Sequence, residues 1–266
     1  MLDPHLALAG ASRAARPPAR AIGGRRLLVA GGGGRLGSAV LEAALHEHRF
    51  VAVGVLSEPP LTSTVKRLHP VAATSAALRA FAPETVLLVF DGQRHANGRE
   101  ARLIQPRPAD LPALARQFLA AGTQRLIVVV PHATASLPAA LRAGLASMDE
   151  AAVAALGLRQ LVFLRTAQSA PAVSVGHVLH RVAGAMLSQL HWMVPPREQP
   201  LRVPQLARFA TALALALPDA ADGTRVVSPE VMWDWAQPGG GDAVLRAWLQ
   251  GQAVPAVASP SQARRW

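Results

Sequence analysis

Leu27-Leu28-Val29-Ala30-Gly31-Gly32-Gly33-Gly34-Arg35-Leu36-Gly37 runs from a short apolar strand straight into four consecutive glycines. A glycine-rich turn between a strand and a helix supplies what a dinucleotide pyrophosphate requires: positive φ, close approach of backbone to phosphate, and tight packing of helix on strand. Gly32, Gly34 and Gly37 satisfy G-x-G-x-x-G, and Gly31, Gly34 and Gly37 satisfy G-x-x-G-x-x-G, so the glycines alone leave both readings open. The stretch 38–45 follows as an amphipathic helix whose unpaired N–H groups face the turn, where they suit an anion.

Outward from this turn, 50–56 is a second apolar run closed by Ser57-Glu58-Pro59-Pro60, which predicts a buried parallel strand. Glu58 stands at the spacing of an acidic residue that accepts from an adenosine ribose 2′-OH and so favours NAD. Lys66 and Arg67 in the next loop suit a 2′-phosphate instead, and a solvated turn carboxylate is the plain alternative for Glu58. A weak third strand near 69–73 precedes a helix at 75–81. The fourth strand, 85–90, ends at Asp91-Gly92, on the sheet edge where such folds bind ligands. A long polar loop, 93–108, leads to a helix at 110–121 stopped by Gly122, then to a fifth strand at 125–130.

That strand runs into Pro131-His132-Ala133-Thr134-Ala135-Ser136. A helix at 138–156 capped by Gly157 and a strand at 160–164 ending in Arg165-Thr166 come next. Alternating strands and helices predict an α/β fold, a doubly wound parallel sheet of the Rossmann kind. Beyond Arg165 the pattern loosens into a helix at 176–190, a short strand at 201–203, a helix at 205–217, a strand at 224–228, an interruption at 234–241 and a last helix at 243–249. This reads as a small C-terminal substrate or cap region, 167–250, within a single domain of 26–250. Trp233 and Trp235 read as core packing for that segment.

Half of the 266 residues are apolar, enough for a large buried core. The absence of cysteine excludes disulfides, thiolate catalysis and cysteine-based zinc sites. The formal charge of +11 rests on arginine, Lys66 being the single lysine, and it is concentrated at the ends. Residues 1–25 read as a disordered basic extension and 251–266 as a flexible tail. Basic runs interleaved with aromatics are missing, and there is no tyrosine at all, which sets nucleic acid aside. No apolar run reaches the roughly 18–20 residues of a membrane span, and the N-terminal arginines follow rather than precede the apolar patch, the wrong order for a secretory signal. A cytoplasmic location is the expectation.

Four stretches, Ala30 to Gly37, Val89-Phe90-Asp91-Gly92, Ala120-Ala121-Gly122-Thr123-Gln124-Arg125-Leu126-Ile127-Val128 and Leu161-Val162-Phe163-Leu164-Arg165, resemble the atypical branch of the short-chain dehydrogenase/reductase superfamily. NmrA-like regulators and Tat-interacting oxidoreductase-like proteins belong to that branch, and the likeness spans roughly 26–236. It implies NAD or NADP as cofactor, a dinucleotide held by Gly31, Gly32, Gly34, Arg35, Leu36, Gly37, Glu58, Asp91, Gly92 and Arg165. Members that transfer hydride carry a serine after the fifth strand and a Tyr-x-x-x-Lys pair on the next helix, whose lysine lowers the tyrosine pKa. Here Gly144 and Met148 stand at the pair's positions, so that acid/base machinery is absent.

His132, Thr134 and Ser136 are the polar groups left beside the fifth strand. His132 is the candidate proton donor or else lines the turn, and Ser136 and Thr134 read as helix caps. Arg165 stands where relatives show Arg-Pro, with Thr166 in place of the proline. It holds a phosphate or carboxylate, or is a buried arginine paired to backbone carbonyls. His177 and His180 lack a carboxylate cluster, so no metal site is expected. The functional expectation is an NAD(P)-binding protein without the standard catalysis, a sensor or assembly partner. Its alternatives are a reductase of small carbonyls, quinones or flavins using His132 or water as donor, and a scaffold that binds partners through its basic tails.

Overall fold

The structure, a computed structural model, describes residues 25–58, 61–91, 102–133, 148–168 and 201–255. Seven strands, β1 (Arg26–Ala30), β2 (Ala52–Ser57), β3 (Leu68–Ala72), β4 (Thr85–Val89), β5 (Arg125–Ala133), β6 (Gln160–Gln168) and β7 (Gly223–Val227), form one sheet in the order β3-β2-β1-β4-β5-β6-β7. Every neighbouring pair is parallel. The helices are α1 (Arg35–His46), α2 (Ser75–Phe81), α3 (Leu111–Ala120), α4 (Met148–Ala154), α5 (Val203–Ala216), α6 (Pro229–Ala236) and α7 (Gly241–Leu249). The strand order reverses between β1 and β4, so the glycine turn lies at the topological switch point of a doubly wound α/β fold, where open parallel sheets leave a crevice.

The five central strands are largely apolar runs because both faces are covered, whereas the edge strands β3 and β7 carry His69, Thr224 and Arg225. Alternation sends Leu27, Val29, Leu87, Val89, Ile127 and Val162 to one face, under Val40 of α1, Phe209 and Leu213 of α5, Met232 of α6 and Leu245 of α7. Leu28, Val86, Leu88, Leu126, Val128 and Phe163 face Leu78 of α2, Phe118 of α3 and Val153 of α4. Turn chemistry sets the helix ends. Thr74 Oγ1 accepts from the Ala77 N–H at 3.2 Å to start α2, while Gly122 and Gly157 take φ of +92° and +79° where α3 and the segment after α4 stop.

The C-terminal third departs from its sequence reading in three places. Residues 201–203 are not a strand: Arg202 caps α5 and Val203 is its first residue, Pro204 enters at no hydrogen-bond cost, and Gln205 Oε1 accepts the Arg202 N–H at 3.3 Å. The interruption expected at 234–241 is present but narrower, at 237–240, because 234–236 form the last turn of α6, whose Trp235 packs edge-on against Phe209 with ring centroids 5.3 Å apart. Third, β7 extends the same sheet beside β6 and α5 packs on its face, so residues 201–255 continue the layered fold, and no separate cap is formed among the described residues. The basic extension to residue 24, the helix expected at 176–190, His177, His180 and the tail from 256 lie outside the described residues.

Candidate functional site

Helix α1 begins at Arg35, three residues before the expected start, with Gly34 as N-cap and the Ser38 N–H bonded to the Gly34 carbonyl at 2.8 Å. Gly37 is therefore inside the first turn of the helix. A Cβ on Gly37 would stand 1.7 Å from the Gly31 carbonyl oxygen, and one on Gly31, whose φ is +94°, would stand 2.1 Å from the Val89 carbonyl oxygen at the end of β4. On Gly32 the nearest atom, at 2.8 Å, is only a Val55 methyl. The strict demands thus fall on Gly31, Gly34 and Gly37, the G-x-x-G-x-x-G spacing.

The demand at Gly34 comes from Asp91. A Cβ there would lie 2.5 Å from Asp91 Oδ2, and that oxygen accepts the Leu36 N–H at 2.6 Å. The Asp91 carboxylate, half-buried beyond the end of β4, thus sits at the positive end of α1 on an N–H that has no partner inside the helix. An anion entering this seat competes with a carboxylate already in it. Ser38 closes the turn from the other side, its hydroxyl donating to the Gly32 carbonyl at 3.2 Å.

The later part of the long loop crosses the same edge. Leu103 forms an antiparallel bridge with Ser57, the Glu58 N–H donates to the Arg102 carbonyl at 2.8 Å, and the Ile104 N–H donates to the Leu56 carbonyl at 3.0 Å. This strip carries Leu103 and Pro106 onto the turn, 3.7 Å and 3.4 Å from where Cβ atoms of Gly32 and Gly31 would be. Within it, both amide atoms of Gln105 are sealed from water without a hydrogen-bond partner, a costly state for a primary amide. Glu58 is exposed at the end of β2, on the sheet edge that carries the glycine turn.

The remaining candidates are spread out. The backbone of His132 belongs to β5, opposite Ala167, because the strand runs three residues past its expected end. Gly92, Thr134, Ser136 and Gly144 lie outside the described residues. Arg165 stands in β6, and its Nη2 is 2.8 Å from Oε2 of Glu150 on α4, the two side chains only 11% and 7% exposed. A carboxylate on a neighbouring helix therefore faces its charge, a partner the sequence reading did not name. No group of three His, Asp or Glu side chains suits a metal ion among the described residues, and no described helix is long and apolar enough to cross a membrane.

Sequence reasoning missed the Asp91 cap, the strip at 102–106 and the Glu150 partner. Only Asp91 carried a signal, as an acidic residue directly after a buried strand. No family model matches the sequence, and no curated protein matches it.

Among solved structures, the fold is similar to a Rossmann-fold NAD(P)-binding family protein from Shigella flexneri, with a TM-score of 0.43, 15% identity and coverage of 76% of this chain and 91% of that one. It is also similar to an oxidoreductase of the short-chain dehydrogenase/reductase family from Burkholderia thailandensis, with a TM-score of 0.43, 14% identity and coverage of 88% and 100%. A third is UDP-glucose 4-epimerase from Brucella ovis in complex with NAD, with a TM-score of 0.43, 18% identity and coverage of 76% of each chain. Likenesses at this level assign neither activity nor substrate.

Proposed function

We propose that residues 26–250 form one domain that binds NAD or NADP at the glycine turn, as an atypical member of the short-chain dehydrogenase/reductase type working as a sensor or assembly partner. One observation carries this reading: Gly31 and Gly37 leave no room for a Cβ against backbone, at the β1/β4 switch point and the N-terminus of α1. A cradle that only glycine can line fits a pyrophosphate, and Pro106 and Leu103 of the strip at 102–106 lie against it. The N–H groups at the start of α1, Leu36 among them, would hold the phosphates, and Glu58 would hold the adenosine ribose.

Bound NAD(P) supplies a hydride donor or acceptor at its nicotinamide. The chain has no tyrosine and one lysine, exposed Lys66, so it brings no Tyr-Lys pair to move the accompanying proton. Binding, rather than turnover, is what these residues serve.

The test is calorimetric titration of the full chain with NAD+, NADH, NADP+ and NADPH, on the wild type and on Asp91→Asn. Replacing the carboxylate by an amide keeps an acceptor on the Leu36 N–H but weakens its hold there and takes a negative charge from the path of the phosphates. The variant is expected to bind about five- to tenfold more tightly, the equivalent of roughly 1 kcal/mol. The same change weakens a charge-assisted cap, so the ligand-free variant is expected to lose about 1 kcal/mol of stability. Absence of binding by all four dinucleotides at millimolar concentration, in both proteins, would overturn the reading. Weaker binding by Asp91→Asn alone would make Asp91 a ligand contact and not a competitor.

A further inference from the structure

A cavity of about 1300 Å³ lies on the side of the fold remote from the glycine turn. Arg25, just before β1, marks it as reaching the N-terminal edge of the sheet, whereas the turn follows the C-terminal end of β1. One wall is the edge strand β7 through Thr224 and Arg225, and the other is α7 through Leu245, Arg246 and Trp248. Arg49 also lines it, so four guanidinium groups meet two carboxylates, Asp219 and Asp242.

Three of these arginines have partners. Arg25 donates to the Leu215 carbonyl at 2.9 Å and lies 3.8 Å from Asp219, Arg49 grips Glu47 with two bonds of 3.0 Å, and Arg246 Nε donates to the Asp242 carbonyl at 3.2 Å. Arg225 differs. Its Nη1 is buried with no hydrogen-bond partner. Burial holds the Arg225 guanidinium below the usual arginine range, with Asp222 opposing from a distance. An arginine nevertheless stays charged in a protein, so the chain keeps a half-buried cation without a bonded carboxylate on a cavity wall.

We propose that this cavity binds a small organic anion, a phosphate or carboxylate group on an apolar body, drawn by the half-buried charge of Arg225 on its wall, with the body lying against Trp248. Arg225 supplies the charge, and Arg25 and Arg246 at the rim raise the local concentration of anions. The half-buried indole of Trp248 offers the apolar contact that a bare inorganic ion cannot use. The site is separate from the dinucleotide cradle, and its occupancy does not depend on the reading given above.

The experiment titrates the full chain with phenyl phosphate, benzoate and inorganic phosphate, followed by calorimetry and by thermal midpoint. Phenyl phosphate or benzoate is expected to bind the wild type at least tenfold more tightly than inorganic phosphate and to raise its midpoint. Arg225→Met is expected to lose at least tenfold in that affinity while its ligand-free midpoint stays level or rises, because a buried cation without a carboxylate is gone. Arg246→Gln is expected to weaken binding severalfold with no change of midpoint. Absence of binding to the wild type at millimolar probe, equal binding by Arg225→Met, or a collapsed ligand-free Arg225→Met together with an unweakened Arg246→Gln would each overturn the proposal. Dinucleotide titration of Arg225→Met, expected to match the wild type, keeps the two sites distinguishable.

Discussion

Gly37→Ala is expected to destabilise the fold by about 3 kcal/mol or more, read as a fall in the urea midpoint, and to abolish dinucleotide binding. The added methyl would stand 1.7 Å from the Gly31 carbonyl oxygen, 2.8 Å from its carbon and 3.0 Å from Gly32 Cα, all of them backbone. No rotamer change relieves such a contact. To make room, α1 must lift from β1, and that withdraws Val40 and Ala44, both fully buried, from the core they share with Leu27 and Val29. Two control substitutions calibrate the cause. Gly32→Ala meets only a Val55 methyl and should cost about 1 kcal/mol. Gly122→Ala has open space around it but a φ of +92°, so it should cost about 1 kcal/mol through backbone strain alone. A Gly37→Ala midpoint close to that of Gly122→Ala would show that helix and turn do not pack this closely.

The contrast between these glycines explains how far the sequence could be read. Four glycines in a row announce a turn, but which of them are obligatory depends on Val89 and Gly31 carbonyls that only the folded sheet brings into range. The five central strands were legible because burial on both faces writes a continuous apolar run, and Gly122 and Gly157 were legible as helix stops because positive φ favours glycine. The start of α1 was misplaced because Gly37, a poor helix former, is in the helix for its lack of a side chain and not for its propensity.

Likewise Leu201-Arg202-Val203 imitates a strand by alternation, while Arg202 in fact caps α5 and Val203, Pro204 and Gln205 form its first turn. Of the candidate site, the cradle itself was visible. Asp91 on the Leu36 N–H and Leu103 against Ser57 join residues 55 and 46 positions apart, and no local pattern records such a pairing.

Glu150→Ala should be the second large loss, about 2–3 kcal/mol, since it takes from the guanidinium of Arg165 a carboxylate 2.8 Å away in a place where neither side chain reaches water freely. The pair ties α4 to β6, so its loss loosens a helix that otherwise holds the sheet through short apolar contacts such as that of Val153. Replacing both partners, as in Glu150→Leu with Arg165→Met, should recover most of the loss. Two apolar groups of similar length need no desolvation of charge, whereas a single substitution keeps the burial cost of one charge and loses the ion pair that offset it.

The same double variant separates the two roles open to Arg165. A purely structural arginine predicts wild-type dinucleotide affinity in the double variant, measured by calorimetry under conditions where it is folded. A tenfold loss of affinity in a stable double variant would instead place Arg165 in the cofactor site, with Glu150 acting as the group that positions it.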